Sequence, residues 1–327
     1  MIPSNRSCLK GTLAAVSAAA LCAIVFDAAA QAFPTKAIRL LIPASPGGGT
    51  DAIARVLAEA LGASLKQPVI AENKPGASGI IASEALVRSP ADGHALMIMQ
   101  NGHTVNPAIF KKLPYDTFAD FTPIAPLARA PLVLVSAAPT GVKTLKELTD
   151  LGKRNPGSLS FGSAEASTRL AIEMIKVATR LPMSVVSYKG TGPAMTDVAG
   201  GHLNFTVTTI SSTLPFRGSG KIHYVAVFAQ ERSSFLPEVP TLSEQGLPDI
   251  EATGWWGIFG PAGMPKPLVQ RLNAAIRVAL DDPAVRKKLA SFSVEPWIAG
   301  ADDLDKFVRN EVALAIKVAK QAGIEPE

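Results

Sequence analysis

The chain has 327 residues, 47% of them hydrophobic and 18% charged, with 26 Gly, 26 Pro and two Cys. That balance excludes a disordered chain, and a chain of this length buries about three quarters of its unfolded surface, which predicts a large core divided between two domains. Lys and Arg number 32 against 27 Asp and Glu, a formal +5 with no basic block, so nothing marks a nucleic-acid partner.

At the N-terminus Arg6 and Lys10 precede an apolar run from Leu13 to Phe26, and Ala30-Gln31-Ala32 offers small residues on both sides of a scissile bond. This predicts a secretory signal peptide over residues 1–32, cut after Ala32, and a periplasmic mature chain. About 14 apolar residues are too few for a membrane anchor, and bulky Leu21 before Cys22 argues against lipidation. Cys8 and Cys22 leave with this leader, as do Arg6, Lys10 and Asp27; the remainder carries +4 and must fold without disulfides.

The mature chain alternates short apolar strands with amphipathic helices. Ile38–Ile42 is a continuous apolar run, as in a parallel strand buried on both faces. A break at 43–49, a helix from about Asp51, a strand at 69–71, a helix at 80–87 and a strand at 96–99 complete one doubly wound α/β unit. The stretch 114–131 is Pro-rich and reads as irregular. After a strand at 132–135, helices at 144–154, 167–179 and 193–199 alternate with strands at 159–161, 184–187 and 203–207. A strand at 222–228, a Pro-punctuated crossing at 237–248 and a strand at 255–259 follow, then helices near 266–281, 283–291 and 302–321. Two α/β units joined by two crossings predict two lobes with a cleft between them: residues 33–128 with 230–327, and residues 129–229.

Pro43-Ala-Ser-Pro-Gly-Gly-Gly-Thr-Asp51 sits where a strand ends and a helix begins. Glycines allow positive φ and close approach of a ligand, and the helix N-terminus suits a carboxylate or phosphate. The Walker pattern is not met, and Ala52 replaces the last glycine of the dinucleotide pattern. A capped tight turn explains the loop locally; its place at the carboxyl end of a strand favours binding. Asn101-Gly-His-Thr104 ends the third strand beside this loop, with His103 read as a hydrogen-bonding loop residue rather than a base. His94, His202 and His223 have no metal-ligand spacing. Gly-x-Ser-x-Gly is absent, the mature chain has no thiol, and no acid–base pair is recognisable, which argues against an enzyme. Phe161-Gly-Ser-Ala164 and Ser187-Tyr-Lys-Gly190 follow strands and precede helices, so they face the cleft or serve as surface and hinge. Trp255 and Trp256 read as lobe packing.

Several stretches together resemble the Bug-type extracytoplasmic solute receptors of tripartite tricarboxylate transporters: Pro46-Gly-Gly48, Glu72-Asn-Lys-Pro-Gly76, Asn106-Pro107, Lys111-Lys-Leu-Pro-Tyr-Asp116, Tyr188-Lys-Gly190, Val239-Pro-Thr241 and Pro261-Ala-Gly263. Their order spans residues 34–324. The resemblance implies an α/β, two-lobed type II periplasmic binding protein fold that closes over a small carboxylate, without a cofactor or metal, acting as a monomer that docks on the membrane components of a transporter. Carried onto this chain, the ligand site is Ser45, Pro46, Gly47 and Gly48 with Asn101 and His103 on one side. Ser163, Ala164, Ser167, Thr168, Tyr188, Lys189, Gly190 and Thr208 lie opposite.

Three departures bear on the ligand. The loop after Gly162-Ser-Ala164 is two residues shorter than is usual in the family, Arg169 falls where a histidine is common, and Thr208 stands where an aspartate is frequent. An aspartate offsets the charge of a ligand ammonium, so Thr208 predicts a ligand other than an α-amino acid. Arg169 either adds a bidentate carboxylate contact or lies on the exposed face of its helix. The alternative from another class is a periplasmic sensory protein or enzyme on the same scaffold.

Overall fold

The computed structural model describes residues 33–326 except 48, 165, 189 and 249. The expected signal peptide lies outside the described residues. In the first lobe, β1 (Ile38–Ile42) pairs in parallel with β2 (Val69–Asn73) and β3 (Ala95–Gln100). Helices α1 (Gly49–Leu65) and α2 (Ile80–Val87) make the crossovers. β9 (Thr253–Pro261) runs antiparallel to β3, and β4 (Phe121–Ala137) antiparallel to β9. In the second lobe β5 (Leu159–Ser163) pairs in parallel with β6 (Met183–Ser187) and β7 (Phe205–Thr209), and β8 (Ile222–Val227) is antiparallel to β4.

β4 serves both lobes. Residues 121–131 pair with β9, and 132–136 pair with β7. The chain returns to the first lobe at Ala252–Thr253, where the Leu132 N–H donates to the Ala252 carbonyl at 3.1 Å, so the two crossings are bonded to each other. The first lobe packs Ile42, Leu57, Ile98 and Ile258 on one face of its sheet and Leu41, Met97, Trp255 and Phe259 on the other. The second packs Leu134, Phe161, Ile175 and Phe205 on one face and Val133, Met195 and Val198 on the other. Each such side chain contributes roughly 1.5–3 kcal/mol of burial. Residues 230–252, which the sequence reading groups with the first lobe, pack on the second: Leu236 and Val239 join Val133, and Leu242 and Ile250 join Leu134.

Two elements differ from the sequence expectation. The stretch 121–131 is strand, not irregular chain: Pro123 and Pro126 sit at register shifts, where a missing N–H costs no ladder bond. Residues 101–103 are not loop but the first turn of α3 (Asn101–Ile109), whose Pro107 masks its helical pattern. Three more helices, α4 (Leu145–Arg154), α5 (Ala166–Thr179) and α6 (Thr191–Gly200), cover the second lobe. After a short α7 (Ile210–Thr213) come α8 (Lys266–Asp281), α9 (Pro283–Ser291) and α10 (Ala301–Gln321). α10 belongs to both lobes: Leu304 and Val308 pack on the first, Val318 on the second, and Ala315 and Ala319 meet Val105 and Ala108 of α3.

Candidate ligand-binding site

A cleft of about 460 Å³ opens between the lobes, where β1, β3, β5 and β7 end, the place an open α/β sheet offers a ligand. Helix N-termini ring it. Gly49 and Thr50 come from α1, Asn101 and Gly102 from α3, Ser167 and Thr168 from α5, and Thr191 from α6. Thr209, Ser211 and Ser212 add hydroxyls at the end of β7. No described lining residue is charged. The first N–H groups of each helix lack intrahelical acceptors and carry about half a positive charge together, so the cleft presents donors and positive potential without a cation.

The loop before α1 is anchored from below. The Asp51 carboxylate accepts from the Gly47 N–H at 2.9 Å, Arg55 Nε at 3.0 Å and Asn73 Nδ2 at 2.8 Å. Arg55 foremost, then Gly47 and Asn73, outweigh burial and hold its pKa down to about 2. Gly47 therefore spends its N–H inside its own loop. Ser45, Pro46 and Gly47 are exposed and off the cleft wall, contrary to expectation, and their loop places Gly49 and Thr50 there instead. Gly48 lies outside the described residues.

Thr50 links two further walls. Trp256 Nε1 donates to Thr50 Oγ1 at 2.9 Å, and Thr50 Oγ1 donates to Gln100 Oε1 at 2.5 Å. An indole N–H only donates, so the chain of bonds runs one way and fixes the Gln100 oxygen on Thr50. Gln100, at the end of β3, thereby keeps its amide N–H groups for the cleft. Asn101 lines the cleft, but its side chain is spent on the return crossing: Nδ2 donates to the Thr253 carbonyl at 2.9 Å and Oδ1 accepts from the Trp255 N–H at 3.2 Å.

His103 does not reach the cleft. The α-helical turn swings it into an aromatic cage, with ring centroids 5.0 Å from Phe121, 5.5 Å from Phe259 and 6.5 Å from Tyr115. Burial lowers its pKa to about 4, so the ring is neutral at pH 7. It is a core residue.

In the second lobe Ala164, Ser167 and Thr168 line the cleft. Thr168 Oγ1 closes the turn into α5: it lies 3.1 Å from Ser163 Oγ and accepts from the Ala164 N–H at 3.3 Å. Ser163 and Tyr188 face a neighbouring cavity rather than the cleft. The Tyr188 hydroxyl donates to Asp197 at 2.7 Å, which, ahead of burial, pushes its pKa up to about 12. Gly190, at φ 119°, caps α6 and brings Thr191 to the wall. Lys189 lies outside the described residues. Thr208 turns away from the cleft and is buried, its hydroxyl without a partner, while Thr209 takes the lining position.

Sequence reasoning missed Ser78, Gln100, Thr209, Ser211 and Ser212 as lining residues. The pair Ser211-Ser212 directly after a strand was a usable signal. Ser78 was not, because its position depends on a left-handed φ of 52° that only the fold reveals. Its carbonyl approaches α3 so closely that a Cβ on Gly102 would lie 2.8 Å from it. Among the described residues no His, Cys, Asp and Glu cluster has metal-binding geometry, and no helix is long and apolar enough to cross a membrane.

Known proteins are similar to this chain in sequence and in fold. Protein BugT of Bordetella pertussis is 31% identical over 304 residues, 92% of this chain and 93% of that protein. An R. palustris protein solved with adipate superposes with a TM-score of 0.80 at 30% identity, covering 90% of this chain and all of the other. MatC from Rhodopseudomonas palustris with bound malate gives 0.75 at 29% identity, covering 88% and 99%. BugD, a periplasmic binding protein, gives 0.76 at 29%, covering 90% and 100%. The tripartite tricarboxylate transporter family receptor model matches residues 53–324, and the chain belongs to that family of solute receptors.

Proposed function

We infer that this receptor captures a small carboxylate in the periplasm, by closure of its two lobes, and delivers it to the membrane components of a tripartite tricarboxylate transporter. One observation carries the reading: helix N-termini and hydroxyls from both lobes converge on a cleft whose described lining bears no charge. A carboxylate inserted there gains N–H donors from both sides, so it stabilises the closed arrangement over an open one. The adipate and malate bound by similar proteins support this ligand class. Among the described lining residues none is a carboxylate that could receive an ammonium group, which disfavours α-amino acids. The hinge falls at the bonded crossings 131–132 and 252–253, making residues 132–252 the second lobe. The receptor acts as a monomer after removal of residues 1–32.

Calorimetry with malate, succinate and adipate, alongside aspartate as the amino counterpart of malate, tests the reading. Binding of at least one diacid and rejection of aspartate are expected. Tighter binding of aspartate than of any diacid would overturn it.

A further inference from the structure

A second cavity of about 460 Å³ adjoins the cleft, and Ser78 and Ala164 line both. Its wall is two-sided. Val105, Ala108 and Phe110 from the first lobe, with Ala315, Ala319 and Ile324 from α10 and the tail, make an apolar side. Across from it stands Arg169 on α5, beside Ser187 and Tyr188.

Arg169 is not saturated. Its Nη2 lies 2.8 Å from Glu173 Oε1, yet the pair is off the hydrogen-bonding direction, and the buried Arg169 Nε and both Glu173 oxygens lack a formed hydrogen bond. Lys176 Nζ also reaches Glu173, at 3.4 Å. Two cations thus face one buried carboxylate, and of the three groups Arg169 alone lines the cavity. The one other charged residue on the described wall is Glu325, exposed on the tail. The sequence left Arg169 open between an inward contact and an exposed helix face; its side chain, 39% exposed, lines this neighbouring cavity and not the cleft itself.

We propose that the two cavities form one elongated site, in which the second takes the hydrocarbon body and distal anionic group of a long α,ω-diacid, with Arg169 receiving that group. This rests on the carboxylate-capture reading, which seats the first acid group among the helix N-termini. The apolar wall selects against polar, hydroxylated bodies because they would leave hydroxyls without partners. Arg169 selects for a second charge, through charge-assisted donors that a methyl end cannot use.

Calorimetry with succinate, adipate, sebacate and decanoate tests this in the full mature chain. The wild type is expected to bind sebacate at least about tenfold tighter than decanoate, which has the same length and one acid group. R169M should remove that preference while leaving succinate within about twofold; Lys176 still faces Glu173 in that variant. Because R169M also touches a buried ion pair, I324W serves as a second variant: it fills the cavity from the tail and should weaken sebacate and spare succinate. Equal wild-type binding of sebacate and decanoate, or an R169M protein that still prefers sebacate, overturns the proposal. Failure of every diacid to bind the wild type sinks the capture reading along with it, an outcome distinct from binding of short diacids alone, which refutes only the elongated site.

Discussion

Replacing Thr191 with Asp should separate stability from binding. Thr191 opens α6 and lines the cleft, with Ser212 Oγ 3.3 Å from its hydroxyl. An acidic residue in a first helical turn is favourable, by about 0.5 kcal/mol, so T191D should melt at or slightly above the wild-type temperature. The same carboxylate would stand in a cleft whose described lining offers no cation to neutralise it. Facing a bound carboxylate at about 4–6 Å with an effective dielectric near 20, it costs roughly 3–4 kcal/mol, which weakens affinity about 100- to 1,000-fold. Calorimetric titration with whichever of succinate, malate or adipate binds the wild type, combined with thermal melting, reads both effects, and T191N serves as the uncharged control. Near-wild-type affinity in T191D would refute the placement of an acid group at the α6 N-terminus.

Other consequences follow from buried groups. His103 has a folded-state pKa near 4 against an ordinary 6.5; the unfolded chain takes up the proton first, so stability should fall as pH drops from about 6.5 towards 4, by roughly 2–3 kcal/mol at pH 4.5. Denaturant melts of H103L should be flatter over that range, and parallel pH curves would show that the histidine is solvated. Glu311 behaves oppositely: burial, with a smaller push from Glu251, raises its pKa to about 7. Its stabilising contribution is full below about pH 4.5 and is lost as pH rises through 7; E311Q should recover about 1–2 kcal/mol at pH 8, allowing for its partial exposure. In G102A the helical gain of about 1 kcal/mol is set against a Cβ 2.8 Å from the rigid Ser78 carbonyl, an overpacking cost of about 1–3 kcal/mol. Net destabilisation of about 1 kcal/mol and weaker diacid binding are expected, and a more stable G102A would show that the Ser78 turn yields freely.

The alternation of strands and helices was legible because strands buried on both faces leave continuous apolar runs, as in 38–42, and because α8 starts after Pro265 and gives way to α9 at Asp282-Pro283. The fold and receptor family were readable from motif order for the same reason: turns and crossings at Pro and Gly keep their spacing. The site residues were less legible. Which face of β7 meets the cleft is settled by a single-residue register against β4, Val133 with Thr208 and Leu132 with Thr209, so Thr208 and Thr209 exchange roles on a shift the sequence does not encode locally. His103 was misplaced because Gly102 and Pro107 disguised a helix, and a helical turn carries the side chain into the core where a loop would have exposed it. Gly47 was misjudged because its partner, Asp51, is a loop anchor rather than a cleft residue.

If the cleft holds a carboxylate through neutral donors, removing the ligand's charge should abolish binding. Parallel calorimetric titration of the mature wild-type protein with adipate and with its diamide, adipamide, puts this to the test. The two share length and hydrocarbon body and differ only in charge and in presenting donors. Binding of adipate with adipamide at least about 100-fold weaker is the predicted result; equal affinities, or a preference for the diamide, would contradict it.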